Sequence, residues 1–126
     1  MARIYVETTI PSFYHEVRQQ PAMLAMRDWT REWWDKAMVK HELVSSEAVV
    51  NELKNGNYES RDDCVTMIQQ LPLLGLNNAI QNIVDFYLAH RFMPADPTGD
   101  VLHLALASFY KCEYLITWNC RHLSNP

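Results

Sequence analysis

Residues 3 to 12 constrain this chain more than any other stretch. Arg3-Ile4-Tyr5-Val6 is an apolar, β-rich run of strand character, and it stops at Glu7-Thr8-Thr9 before Ile10-Pro11-Ser12. Branched and aromatic side chains of this kind suit a pleated, half-buried surface. A buried strand has no reason of its own to end in a carboxylate followed by two hydroxyls. In an open α/β sheet, however, the carboxyl ends of the strands are where ligand sites are built. The stretch therefore predicts a strand that delivers Glu7 to a site.

The rest of the chain reads as strands alternating with helices. Pro11 is suited to the first turn of a short helix. From Met23 to Lys40 the apolar positions Met26, Trp29, Trp33 and Ala37 recur at helical intervals. His41 to Ser45 reads as a second strand, with Ser45 or Ser46 capping a helix through Val49, Val50 and Leu53. Asn55-Gly56-Asn57 is expected to stop that helix through a left-handed cap. A further helix spans about Ser60 to Gln70, and Pro72 to Leu76 reads as a third strand. Asn77 or Asn78 caps the cleanest amphipathic stripe, Ile80, Ile83, Val84, Tyr87 and Leu88. Pro94 to Gly99 reads as a loop, Asp100 opens a helix to about Tyr110, and Glu113 to Thr117 forms a fourth strand. Such alternation implies a parallel sheet covered on both faces. The expected fold is α/β, a three-layer α/β/α sandwich with a central parallel sheet, in a single domain over residues 1–126.

Bulk properties narrow the function classes. The 126 residues, 48% hydrophobic and 21% charged, suit one ordinary globular core. No apolar run approaches the ~20 residues of a membrane span, and no leader pattern opens the chain. Three cysteines, Cys64, Cys112 and Cys120, at unrelated spacings fit free thiols in a reducing cytoplasm. His15, His41 and His90 lack zinc-ligand spacing. The net charge of −4 argues against indiscriminate binding to nucleic acid, which rests on neutralising phosphates. It leaves room for a nuclease, whose metal site must itself be acidic.

Four polar groups fall where such a sheet presents them. Glu7 and Asn119 stand at the ends of two strands, Asp100 at the start of a helix and Glu52 in the second turn of another. Converging carboxylates repel one another unless a cation neutralises them, and a hard divalent ion takes one or two carboxylates with water or phosphate. Taken singly, each has an ordinary role: Glu52 as a solvated helix residue, Asp100 as an anion at a helix N-terminus, Asn119 as a turn former. His103, one turn after Asp100, is equally able to reach the acidic group or to bond a carbonyl at the core edge. Trp29, Trp33 and Trp34 could form a stacking platform, but their spacing favours core packing, with a surplus aromatic face for a partner or dimer.

Four stretches in order carry a resemblance. They are Ile4 to Ser12, Val44 to Leu53, Asp100 to Ala105, and Tyr114-Leu115-Ile116-Thr117-Trp118-Asn119-Cys120-Arg121-His122. Together they resemble the PIN-domain family, and within it the VapC-like toxins of bacterial type II toxin–antitoxin pairs. The resemblance implies a cytoplasmic, metal-dependent endoribonuclease. It also implies Mg2+ or Mn2+ held by Glu7, Glu52 and Asp100, with Asn119 at the position of a fourth acid of the catalytic set. Thr8, Thr9 and Thr117 would orient ligands or waters, and Arg121 would contact phosphate. The implied partners are an RNA substrate, an antitoxin protein and a second copy of the chain, with no membrane. Two positions depart from the family pattern: Glu7 is one methylene longer than the usual aspartate, and Asn119 lacks the negative charge of the fourth acid. Relatives usually continue with another short strand, so the chain is expected to be short of it. The competing expectation is an inactive PIN-like protein that binds RNA or an antitoxin-like partner without cutting.

Overall fold

The computed structural model describes residues 1–90 and 97–119, the side chains of 97–100 excepted. In chain order its elements are β1 (Arg3–Val6), α1 (Thr9–Tyr14), α2 (Pro21–Lys40), β2 (Glu42–Ser46), α3 (Glu47–Asn55), α4 (Arg61–Gln69), β3 (Leu73–Leu74), α5 (Asn78–His90), α6 (Pro97–Phe109) and β4 (Tyr114–Ile116). The four strands form one sheet in the order β3-β2-β1-β4. Every pairing is parallel: Tyr5 lies beside Val44 on one side and Leu115 on the other, and Ser45 beside Leu73. This is the α/β/α arrangement expected from the alternating pattern.

The strand order fixes where a site can form. From β1 the chain moves outward through β2 to β3, then returns across the sheet to place β4 on the other flank of β1. The order therefore reverses between β1 and β4. In an open α/β sheet such a reversal is where a crevice forms at the carboxyl ends of the strands and ligands bind. Glu7 follows β1 directly, and Thr117 follows β4.

Burial explains why the central strands hold. Tyr5, Val6, Leu43 and Val44 are buried, as parallel strands covered on both faces must be. Val49 and Leu53 of α3, Cys64 and Ile68 of α4, Ile80 and Val84 of α5, and Val101, Ala105 and Leu106 of α6 complete the same core. α5 packs on α6, α3 on α4, and α1 on both α2 and α4. Two hydroxyls are buried within β2, and both are satisfied. Ser45 donates to the Val6 carbonyl at 2.8 Å, and Ser46 accepts from the Val49 amide at 3.2 Å as the cap of α3. Among the described residues, no helix is long and apolar enough to cross a membrane.

Several local expectations need correction. Asp100 does not open its helix: α6 begins at Pro97, which makes Asp100 its fourth residue. Pro97 suits the first helical position because its missing N–H would have had no partner there. Pro11 is likewise the third residue of α1 rather than its first. The predicted left-handed cap at Gly56 is absent, because that residue is extended at φ −80° and ψ 159°. Glycine is needed there for space. An added Cβ would come within 2.6 Å of Tyr58 Cδ1 and closer still to Cε1, on a ring whose hydroxyl donates to the Leu53 carbonyl at the end of α3.

The left-handed cap occurs instead after α6, at Lys111 with φ 59°. The Cys112 amide bonds the Ala107 carbonyl at 2.8 Å and the Lys111 amide bonds that of Ser108 at 3.1 Å. This is the paired pattern of a Schellman motif.

The tryptophans divide as well. Trp34 is buried and Trp33 half-buried against the core, but Trp29 is 60% exposed. Core packing therefore accounts for two of the three.

Candidate functional site

Glu7 is 6% exposed, and the turn that follows β1 folds back to hold it. The Thr9 amide donates to Glu7 Oε1 at 2.9 Å, the Thr9 hydroxyl at 2.6 Å and the Thr117 hydroxyl at 2.7 Å. Each hydroxyl is itself fixed by an amide from the segment after β4. Trp118 N donates to Thr9 Oγ1, and Asn119 N to Thr117 Oγ1, both at 2.8 Å. The two strand ends are thus tied together through a single carboxylate. Among the described residues no cationic side chain pairs with Glu7, and all three hydrogen bonds to its carboxylate land on one oxygen. A buried carboxylate without a counter-charge is costly unless hydrogen-bonded. Here one oxygen carries three hydrogen bonds and the other carries none among the described residues.

Glu52 is positioned from the neighbouring residue of the same turn. Thr8 Oγ1 donates to Glu52 Oε2 at 2.6 Å. His103 Nε2 of α6 lies 2.8 Å from Glu52 Oε1, at ion-pair distance but off the line of a hydrogen bond. Burial pushes the Glu52 carboxyl up, yet the His103 contact and the Thr8 hydroxyl outweigh it and hold the group below the usual range. Adjacent threonines therefore orient the two carboxylates: Thr9 holds Glu7, and Thr8 holds Glu52.

His103 is the residue that sequence reasoning left undecided. It is 2% exposed, and its Nδ1 lies 2.7 Å from the Tyr5 hydroxyl, which also lies 2.7 Å from Ser46 Oγ. A buried chain thus runs from the α3 cap through Ser46, Tyr5 and His103 to Glu52. Tyr5 was unforeseen as part of this group, because in sequence it reads only as a β-former. The available signal was His103 itself, three residues after Asp100 and so one helical turn away.

The structure brings Glu7, Thr8, Thr9, Glu52 and Thr117 together, with the Asn119 backbone among them. Asp100 stands one turn before His103 in α6, but its side chain lies outside the described residues. Arg121, His122 and Cys120 also lie outside them. Among the described residues, no group of three or more His, Cys, Asp or Glu side chains could hold a metal ion. Cys64 and Cys112 are free thiols, both pushed up by burial.

The described donors nonetheless suit a hard cation: an open oxygen on Glu7 and a second carboxylate beside the same turn. A scan against protein-family models and searches of curated proteins and of solved structures returned no match.

Proposed function

We propose that this chain is a metal-dependent endoribonuclease of the PIN-like kind, the toxin of a type II toxin–antitoxin pair acting in the cytoplasm. One observation carries the reading. Glu7 is buried at the crevice between β1 and β4, and its hydrogen bonds occupy one oxygen while leaving the other open. The four ordered sequence stretches supply the family likeness. RNA is the substrate in this reading, and an antitoxin protein and a second copy of the chain are the partners.

Glu7, Glu52 and Asp100 would hold Mg2+ or Mn2+. When bound, the cation supplies Lewis acidity for the attacking water and neutralises charge on the phosphodiester. The chain's own residues set the geometry. Thr9 and Thr117 restrain Glu7 so that its open oxygen faces outward, at no conformational cost when substrate arrives. Thr8 and His103 hold Glu52 from opposite sides and keep it ionised. Asn119, tied by its amide to Thr117, offers a neutral oxygen where the family has an acid.

The test is RNA cleavage with and without metal. Cleavage should need Mg2+ or Mn2+ and should be lost in Asp100→Asn with circular dichroism unchanged. Full cleavage in excess EDTA would overturn the reading. A second reading, a non-cutting protein that binds RNA or an antitoxin-like peptide, is favoured by Glu52, both of whose oxygens already have partners. Calorimetry with Mn2+ separates the two, because the non-cutting protein would bind RNA or peptide but take up no metal.

A further inference from the structure

Beside the acidic crevice lies an aromatic cleft of about 280 Å³, lined by Ile10, Trp29, Thr30, Trp33, Ile116, Thr117 and Trp118. We propose that this cleft is a subsite that stacks one nucleobase of the RNA strand next to the phosphate at the acidic group. It deepens the nuclease reading and rests on it for the identity of the strand.

The cleft is continuous with the acidic group. Thr117 lines the cleft, and the same hydroxyl donates to Glu7 Oε1. Trp118, the next residue, gives its backbone amide to Thr9, which holds Glu7 as well. A ligand in the cleft therefore borders the side chains that hold the carboxylate.

The shape of the cleft suits a base. Trp29 and Trp118 present nearly parallel rings, 22° apart in plane with centroids 6.4 Å apart, and Trp29 is 60% exposed. Flat aromatic faces open to solvent suit a flat π-ligand, and bases of any sequence stack on them. Trp118 is a rigid wall. Its indole Nε1 donates to Thr30 Oγ1 at 2.8 Å, Thr30 donates on to the Met26 carbonyl at 2.6 Å, and Phe13 meets its ring edge-on at 5.9 Å. With its indole N–H and the Thr30 hydroxyl already engaged, Trp118 offers the cleft its face rather than its edge.

A chain of net charge −4 gains little from phosphate neutralisation. Stacking is a contribution to RNA affinity that does not rest on phosphate neutralisation.

The test uses fluorescein-labelled oligoadenylate, and an abasic ribose–phosphate chain of equal length, in EDTA so that nothing is cut. Trp29→Ala should weaken oligoadenylate binding about 5- to 150-fold, Trp29→Phe should restore most of it, and the abasic chain should bind both variants alike. Unchanged oligoadenylate affinity in Trp29→Ala, equal loss for the abasic chain, or no binding of oligoadenylate by the wild type overturns the proposal. So does a Trp29→Ala change confined to the sedimentation coefficient, which would make the cleft a contact between copies of this chain.

Cleavage in Mn2+ keeps the two readings apart. A Trp29-dependent affinity in a protein that cuts nothing leaves the cleft standing without the nuclease. Cutting with an unchanged KM in Trp29→Ala leaves the nuclease without the cleft.

Discussion

Tyr5 shows how a residue with an unremarkable place in the sequence becomes central in the fold. As the third position of an apolar run it reads as filler for the core. In three dimensions its hydroxyl joins Ser46 to His103, and so connects the cap of α3 to Glu52. None of these contacts is local, which is why no spacing in the sequence announces them. Glu7 is the opposite case. A carboxylate ending a buried strand conflicts with its surroundings in any fold of this class, so its position alone marked it. Burial pushes the Tyr5 phenol far above its usual range, with the Glu52 and Glu7 charges pushing further and the Ser46 hydroxyl acting against them. The unfolded phenol titrates near pH 10. Because the folded state holds the neutral form, stability is full below that value and falls as pH rises above it. Tyr5→Phe should therefore lose about 1–3 kcal/mol at neutral pH, because Ser46 Oγ and His103 Nδ1 lose the phenol as a partner. It should also unfold with a flatter pH dependence above about pH 10. Urea titrations in both ranges measure this, and an unchanged alkaline slope would sink the assignment.

At the level of elements, alternation of strand and helix was legible because each obeys its own period, and the boundaries were recovered to within a few residues. The ends were less legible, because a helix stop depends on geometry that more than one residue type can adopt. Gly56 invited a left-handed reading and instead makes room for the Tyr58 ring. Lys111 adopts the left-handed conformation with nothing in its side chain to favour it. The residue is exposed, and the two bonds of its Schellman motif turn the chain from α6 into β4. A side chain in this region costs roughly 1 kcal/mol that glycine avoids. Glycine also loses more freedom on folding, so the gain is partial. Lys111→Gly should stabilise the protein by up to about 1 kcal/mol, seen as a higher urea midpoint at unchanged slope. A lower midpoint would mean that the Lys111 side chain has a role the turn does not require. Because β4 carries Thr117 and Trp118 into the site, this turn also sets the register of the Glu7 cradle.

For the whole molecule, the order β3-β2-β1-β4 is what gives the separate residues a common destination. The sequence offered four soft stretches far apart, and the sheet brings the ends of two of them to one crevice. Glu7 offers a clean way to ask whether that crevice takes a cation. All three donors reach Oε1, so a glutamine carbonyl can accept the same bonds while its amide replaces the open oxygen. Glu7→Gln should then keep the fold and remove the anionic ligand. A ligand that binds only the folded state stabilises it by about 2.7 kcal/mol at a hundred times its Kd. For a domain of this size that is roughly 10 °C in Tm. Mn2+ should thus raise the melting temperature of the wild type by about that amount, with little change in Glu7→Gln and full reversal on adding EDTA. Equal shifts in both proteins would place any bound cation away from Glu7. No shift in the wild type, at Mn2+ concentrations that support RNA cleavage by other metal-dependent nucleases, would leave the buried carboxylate as a strut between β1 and β4.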